Sequence, residues 1–202
     1  EVVRDMHEFF LPMAQEKQLQ FTYERCDDIV ICGDRTGILQ LVSNLLDMAR
    51  LQEGQVQHKR EWQPLEEVVS ASLQTLADPL AQHEVVVDLP ADLPLLEFDS
   101  VLMERVFCNL LENATKYTPA GSRIEIGARN EGDHVSITIA DNGPGLPPGR
   151  EESLFEKFTR GQDESPVAGV GLGLAIVRAI VQAHKGTVKG ENRPEGGARF
   201  VT

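Results

Sequence analysis

The sequence has few cysteines and no long apolar run, and each shortage excludes a class of protein. Cys26, Cys32 and Cys108 are its only cysteines, too few and too scattered for a disulfide framework or a zinc site. No run of 18 or more apolar residues occurs, so no segment is suited to spanning a membrane. These shortages predict a chain of the reducing cytosol that makes no membrane contact of its own.

Positive charge is also scarce. The 19 Lys and Arg residues are outnumbered by 32 Asp and Glu residues, which gives a net charge of -13. A nucleic-acid partner would require clustered cations, so none is expected. The composition of 41% hydrophobic and 25% charged residues is otherwise typical of a globular protein. The 202 residues leave room for one ordinary domain with extra elements, or for two small domains.

Apolar periodicity predicts helices and mostly antiparallel strands, arranged as an α/β two-layer sandwich. Asp99 is suited to cap a helix whose apolar positions from Met103 to Ala114 follow the i, i+3, i+4, i+7 spacing of one buried face. The other predicted elements are strands at 85–89, 95–98, 124–126 and 135–139, a helix from about Leu172 to His184, and a final hairpin around 192–197.

One stripe of the predicted helix after Asp99 is polar. Its members are Asn109, Glu112, Asn113 and Lys116, which are spaced so that they share a face opposite the apolar one. An Asn amide oxygen can ligate Mg²⁺ beside phosphate oxygens, and a Lys one turn away can offset phosphate charge. Taken alone, the stripe is more typical of a solvated face with a Glu112–Lys116 ion pair.

Two glycine-rich segments follow. Residues 141–145 read DNGPG directly after a strand, where the Asp141 carboxylate could accept a hydrogen bond from an exocyclic amine and so select adenine over guanine. Residues 169–173 read GVGLG before the second helix, where backbone N–H groups can cradle phosphates. Each segment alone could be an ordinary turn or hinge. The second lacks the terminal GK[ST] of a P-loop.

Taken together, in this order and spacing, the motifs resemble the boxes of the histidine kinase ATPase domain. The resemblance covers roughly residues 61–202 and implies a Bergerat-type ATPase fold, here with an N-terminal helical extension. The segments that carry it are NLLENATKYTP from Asn109, DNGPG from Asp141, FEKFTR from Phe155, GVGLG from Gly169, and the pair Gly196-Gly197.

The resemblance implies ATP and Mg²⁺ as cofactors and gives the phosphate-binding positions their roles. Asn113 would hold the metal, Asn109 would help place the phosphates, and Arg160 would contact phosphate from a lid. Lys116 would contact phosphate during catalysis. Glu112 stands where the family has an acidic residue that assists deprotonation of the substrate histidine.

For the base and the lid, the resemblance implies a second group of positions. Asp141 would bind the adenine amino group and Tyr117 would pack near the ring, while Phe155 and Phe158 would anchor the lid on apolar surface. Ala198 stands where the family often has Thr, which puts a hydroxyl contact there in doubt. The glycine-rich positions that would shape the pocket and close the lid are Gly143, Gly145, Gly169, Gly171, Leu172 and Gly173.

The implied function is transfer of the ATP γ-phosphate to a histidine on a dimerisation domain that this chain lacks. Such a module would be the cytosolic part of a membrane-bound sensor, would form a homodimer, and would act upstream of a response regulator. Two alternatives stay open: an interaction module in which ATP only orders the lid, and a gyrase-like or chaperone-like ATPase. The Phe155–Arg160 segment inside a long lid disfavours the last.

Residues 1–60 are harder to interpret. Residues 41–60 resemble the end of a dimerisation helix and its linker, and residues 1–40 resemble the start of a second ATPase domain. The second likeness depends on residues 33–49, which align without gaps with residues 98–114. Two amphipathic helices that are alike by chance would explain the same match.

No histidine stands where the family carries its phosphorylated residue. That residue is followed by Glu or Asp and then, shortly after, by Arg and Pro. His7 precedes Glu8 but then meets Phe9 and Phe10. The other candidates, His58, His83, His134 and His184, are expected to have structural or solvent-exposed roles, with His184 a cation that suits a helix C-terminus.

Overall fold

The helices and strands follow the predicted order from residue 84 onward. The computed structural model describes residues 59–159 and 171–202, together with Leu11. The elements are β1 (Glu61–Gln63), α1 (Leu65–Thr75), α2 (Ala77–Leu80), β2 (Glu84–Asp88), β3 (Leu96–Phe98), α3 (Ser100–Tyr117), β4 (Arg123–Asn130), β5 (Val135–Asp141), a 3-10 turn (Ser153–Phe155), α4 (Gly173–Ala183), β6 (Lys189–Asn192) and β7 (Ala198–Val201).

Helix α3 begins and ends as its sequence predicts. The Asp99 carboxylate accepts a hydrogen bond from the Leu102 backbone N–H at 3.1 Å, which satisfies one of the free donors at the helix start. At the other end the Thr118 hydroxyl donates to the Ala114 carbonyl at 2.7 Å. The predicted apolar face is buried, with Met103, Val106, Phe107, Leu110, Leu111 and Ala114 all 9% exposed or less.

The main sheet has five strands in the order β2-β4-β5-β7-β6. Strands β2 and β4 are parallel, and the remaining neighbours are antiparallel. In β4, Ile124, Ile126 and Ala128 alternate with more exposed residues, so that one face of the sheet is apolar. The prediction of mostly antiparallel strands is confirmed.

Helices cover this apolar face, which confirms the two-layer sandwich. Helix α3 lies between α1 and α4 and also contacts β5. Its neighbour α4 is apolar on most sides and buries Ala175, Ile176, Val177, Ile180 and Val181. The predicted N-terminal helical extension lies outside the described residues, apart from the single helical residue Leu11.

The segment that begins the proposed catalytic domain forms a strand that was not predicted. Residues 61–63 form β1, which pairs antiparallel with β3 in a separate two-stranded sheet. The Gln63 side chain donates to the Phe98 carbonyl at 2.8 Å, across a sequence separation of 35 residues. Because this pairing is non-local, periodicity within the segment could not indicate it.

His184 joins the start of α3 to the end of α4, which is a structural role, one of the two kinds predicted for it. Its Nε2 accepts the backbone N–H of Asp99 at 3.1 Å, and its Nδ1 lies 2.8 Å from the Ile180 carbonyl. Among the described residues, no helix combines the length and apolar character needed to cross a bilayer.

Candidate nucleotide-binding site

Helix α3 connects the two glycine-rich segments that the sequence singled out. Near its middle, Asn109 Oδ1 lies against Gly173, where a Cβ atom would come within 3.0 Å of it. At its end, the Thr118 methyl group lies against Gly143, where a Cβ atom would come within 2.5 Å. The nine steps along the chain from Asn109 to Thr118 correspond to about 14 Å of helix. The structure therefore brings α3, the turn after β5 and the start of α4 together along one line.

Asp141 is buried at the end of β5, with 6% of its surface exposed. Its Oδ1 accepts backbone hydrogen bonds from Gly143 at 2.9 Å and from Ala198 at 3.2 Å. Two donors to one oxygen fix the orientation of the carboxylate. A carboxylate held this way is suited to accept a further hydrogen bond from a ligand.

The backbone N–H of Ala198 is a contribution that the sequence did not reveal. Only the loss of a hydroxyl was expected at this position, yet its main chain reaches the Asp141 carboxylate. The adjacent Gly197 lies so close to the Asp141 carbonyl that any side chain would collide with it. The Gly196-Gly197 pair was the one available signal, because glycines mark places where two backbones approach closely.

The turn after Asp141 is fixed from β6. The Asn192 side chain accepts the Leu146 N–H at 2.6 Å and donates to the Leu146 carbonyl at 2.9 Å. The same side chain lies against Gly145. Asn192 was not predicted as a site residue, because nothing in the local pattern indicates a contact across 46 residues.

The polar stripe on α3 is less uniform than predicted. Asn109 is only 6% exposed, because α4 begins against it, and its Nδ2 donates to the Arg105 carbonyl at 2.8 Å. Asn109 therefore lies at the contact between two helices and not on an open polar face. Asn113, one turn further along, is half-buried.

The two charged residues of the stripe, Glu112 and Lys116, form the ion pair that was the alternative interpretation of the sequence. Lys116 Nζ lies 2.9 Å from Glu112 Oε2, with 42% of the lysine and 26% of the glutamate side chain exposed. Tyr117 ends the helix with 46% of its surface exposed. An exposed ring and a surface lysine are available to an incoming ligand, and the roles predicted for them stay predictions.

Of the two phenylalanines predicted to anchor the lid, Phe155 is buried and Phe158 is exposed. Phe155 is buried, contacts Phe200 edge to face at 6.2 Å, and lies under the Arg178 guanidinium at 4.5 Å. Phe158 is 62% exposed, and its backbone has a left-handed φ of 61°. That turn directs its N–H to the Gly171 carbonyl at 2.9 Å, which joins the chain on either side of residues 160–170.

The remaining predicted lid positions divide into two groups. Leu172 caps α4 and is 1% exposed, so only its backbone could meet a ligand. Gly171 and Gly173 flank it at the start of the helix, where the positive end of the helix dipole lies. Arg160 and Gly169 lie outside the described residues.

The chemistry of the donors fits a magnesium ion that is held mostly by nucleotide phosphates. Over residues 59–159 and 171–202, no group of three or more His, Cys, Asp or Glu side chains could hold a metal. An amide oxygen from Asn113 would be the protein ligand, and Mg²⁺ commonly combines few protein ligands with phosphate oxygens and water.

Comparison with known proteins agrees with this geometry. Residues 98–202 match the family model described as histidine kinase-, DNA gyrase B-, and HSP90-like ATPase. The chain is 54% identical over 161 residues to the sensor protein KdpD of Escherichia coli, a match that covers 80% of the chain and 18% of that protein. For the sensor protein KdpD of Clostridium acetobutylicum, identity is 37% over 172 residues, covering 84% and 19%.

The solved structures give the same fold. The mycobacterial sensor histidine kinase MprB superposes with a TM-score of 0.61 at 29% identity, covering 71% of this chain and 94% of that one. The chain spans about a fifth of the length of the two curated relatives above. With a family model matched over half of its length, and with the predicted Bergerat-type sandwich confirmed, the chain belongs to the histidine kinase-, DNA gyrase B-, and HSP90-like ATPase family, as a catalytic domain of the sensor-kinase type.

Proposed function

We propose that this chain binds Mg-ATP along α3 and transfers the γ-phosphate to a histidine on a dimerisation domain. The observation that carries the proposal is the line formed by buried Asp141, the polar side of α3 and the start of α4. At one end, a fixed carboxylate suits the adenine amino group. At the other end, about 14 Å away, a helix N-terminus beside Asn109 suits phosphate.

This arrangement also explains how a negatively charged protein could bind the anion ATP. A chain with a net charge of -13 must offer an anionic ligand local positive potential. The start of α4 supplies it through backbone N–H groups, and Lys116 supplies it by leaving Glu112 for phosphate. In the proposed site, bound Mg²⁺ would neutralise further phosphate charge, held by Asn113.

The proposed reaction breaks the bond between the γ-phosphorus and the β,γ-bridging oxygen and forms a phosphorus–nitrogen bond to the histidine. ADP leaves with the electron pair of the broken bond, and Glu112 accepts the proton lost by the imidazole. Phosphoryl transfer depends mainly on position and charge neutralisation. The tasks left to this chain are to hold the nucleotide and to orient its terminal phosphate.

The wider setting follows from the same proposal. The acceptor histidine belongs to a dimerisation domain, the phosphorylated dimer passes its phosphate to a response regulator, and the module works in the cytosol beneath a membrane-bound sensor. Residues 41–60 are proposed as the end of a dimerisation helix with its linker, and residues 61–202 as the catalytic domain. Kinship with sensor kinases favours this function over that of a gyrase-like or chaperone-like ATPase.

Asp141→Asn should weaken ATP binding, while GTP should bind poorly even to the parent chain. The substitution replaces an acceptor oxygen with an NH₂ group or removes the charge that strengthens the hydrogen bond to the adenine amine. An expected loss of about tenfold or more corresponds to one charge-assisted hydrogen bond. Isothermal titration calorimetry with both nucleotides measures it.

Asp133→Asn is the matched control, because it makes the same change on the exposed turn at the opposite end of β5. It should leave ATP affinity unchanged. Equal affinities of the parent chain for ATP and GTP would contradict the assignment of Asp141 to adenine.

One nucleotide should bind per chain, although residues 33–49 align with residues 98–114. We propose that residues 1–40 resemble the start of a second ATPase domain without forming a second site. In the aligned segment Met48 replaces Asn113 and Leu51 replaces Lys116, so the proposed metal and phosphate contacts are missing. Calorimetric stoichiometry measures this, and two sites per chain would overturn it.

A further inference from the structure

The carbonyl of Asp141 lies just beyond the region where β5 pairs with β7. The register joins Thr138, Ile139 and Ala140 to β7, and the pairing stops there. An arginine side chain provides a donor where the ladder ends: Arg193 Nη1 donates to the Asp141 carbonyl at 3.3 Å. A buried carbonyl without a partner would be costly, so this contact has a structural reason to form.

Arg193 is itself held in place from several directions. Its Nη1 lies 3.3 Å from Glu125 Oε2 on β4, and its Nη2 lies 2.7 Å from Glu195 Oε1. Its backbone N–H donates to the Gly197 carbonyl at 3.0 Å. Only 16% of the side chain is exposed. A guanidinium with this many partners has little freedom to move, because its N–H donors lie in one rigid plane.

The hairpin between β6 and β7 therefore contacts Asp141 twice. Through Ala198 it donates to the carboxylate, and through Arg193 it donates to the carbonyl of the same residue. Backbone and side chain are thus fixed together. Recognition of an amine by a carboxylate depends on hydrogen-bond direction, which weakens steeply when the acceptor is displaced.

We propose that Arg193 is a positioning residue for adenine selection, which acts by holding Asp141 in the orientation that accepts the 6-amino group. The inference rests on the proposed nucleotide function and deepens it. Arg193 needs no contact with the nucleotide. Its removal should therefore affect which base is preferred more than how tightly a triphosphate is held.

The test compares ATP with inosine triphosphate, in which oxygen replaces the 6-amino group. Calorimetry gives the affinity of each chain for both nucleotides, and the ratio of the two affinities is the measure of adenine selection. In Arg193→Met this ratio should fall at least about fivefold, since a displaced carboxylate loses the contact that only ATP makes. Arg193→Lys keeps a positive charge near Glu125 but lacks the planar set of guanidinium donors. Its affinity ratio should therefore lie between that of the parent chain and that of Arg193→Met.

Arg199→Met is the matched control. Arg199 lies on the same hairpin and forms an ion pair with Glu191, but its side chain has no contact with Asp141 among the described residues. It should leave the ratio within about twofold of the parent value, as expected for an exposed ion pair. An equal fall in Arg199→Met would show that the hairpin as a whole matters and would overturn the specific role of Arg193.

Separate measurements distinguish a variant that fails to fold from one that folds but no longer selects adenine. Thermal melting and the calorimetric stoichiometry report the folded fraction, whereas the affinity ratio does not depend on it. If Arg193→Met does not fold, Glu125→Gln replaces it, because that change removes the charge that orients the guanidinium and should lower the ratio in the same direction. An unchanged ratio in the folded variant overturns the inference. A parent chain with no preference for ATP overturns the proposed function of Asp141 itself.

Discussion

Incubated alone with labelled ATP, the chain should acquire no acid-labile phosphate, but it should phosphorylate a separately supplied dimerisation domain that bears the acceptor histidine. The histidines of the described residues are engaged elsewhere. His83 contacts the Thr118 hydroxyl at 3.1 Å, His134 pairs with Asp133 on an exposed turn, and His184 joins α3 to α4. Transfer requires a nitrogen in line with the γ-phosphate, and the effective concentration of such a group is lost when it is absent.

Asn113→Ala should abolish the transfer to the supplied domain. The proposed metal ligand is removed, so the charge of the phosphates is no longer neutralised where the new bond forms. A fall of about a hundredfold or more is the scale expected for loss of one electrostatic contact to a transition state. The fold should be unaffected, because Asn113 is half-buried and is not part of the core.

Gln74→Ala provides the comparison for this experiment. It removes an exposed carboxamide from α1 and should leave the transfer rate unchanged. Radiolabel that is retained by the chain itself and released by acid would contradict the absence of an acceptor. Binding of ATP with no transfer to any supplied domain would favour the alternative function, an interaction module whose lid is ordered by nucleotide.

The parts of the fold that depend on local pattern were predictable. The cap at Asp99 and the apolar spacing from Met103 to Ala114 gave α3 correctly, and alternation gave β4 and β5. A strand at the position of β3 was predicted, but β1 was missed because its three residues are too few to show a period. The pairing of β1 with β3 was missed because it joins residues more than 30 positions apart. The exposure of Phe158 was missed because a left-handed backbone at a bulky residue leaves no trace in composition.

The residues of the candidate site fall into the same two groups, those that a local motif indicates and those that depend on contacts between distant parts of the chain. Asp141, Asn109 and the glycines could be proposed as site residues from the sequence, because their motifs are short and contiguous. The sequence did not indicate three further contacts, which come from Arg193, Asn192 and the Ala198 N–H. These groups reach Asp141 or the turn after it only because β7 lies beside β5 in the folded sheet. The burial of Asn109 depends likewise on where α4 begins. Motifs therefore indicate which residues are proposed to meet the ligand, while the strand order determines which residues hold them.

Gly197→Ala should destabilise the domain strongly and remove ATP binding. Gly197 has a φ of 96°, and a Cβ atom there would fall on the Asp141 carbonyl and close to the Asn142 Cα. Because these neighbours are main-chain atoms, no change of rotamer relieves the collision. Strain and overpacking together are expected to cost about 3 kcal/mol or more. For a domain of this size that corresponds to a fall of roughly 10 °C in melting temperature.

A substitution at the adjacent glycine distinguishes the contribution of backbone strain from that of steric collision. Gly196 has almost the same backbone conformation, with a φ of 99°, but a Cβ atom there would meet nothing within 4 Å. Gly196→Ala should therefore lose only about 1 kcal/mol of stability, the cost of a left-handed backbone at a residue other than glycine. Its ATP affinity should be unchanged. Thermal melting and calorimetry on both variants measure the difference. If the two substitutions had equal effects, the close approach of Gly197 to Asp141 would not be what holds the site together, and the proposed coupling between the hairpin and the carboxylate would have to be abandoned.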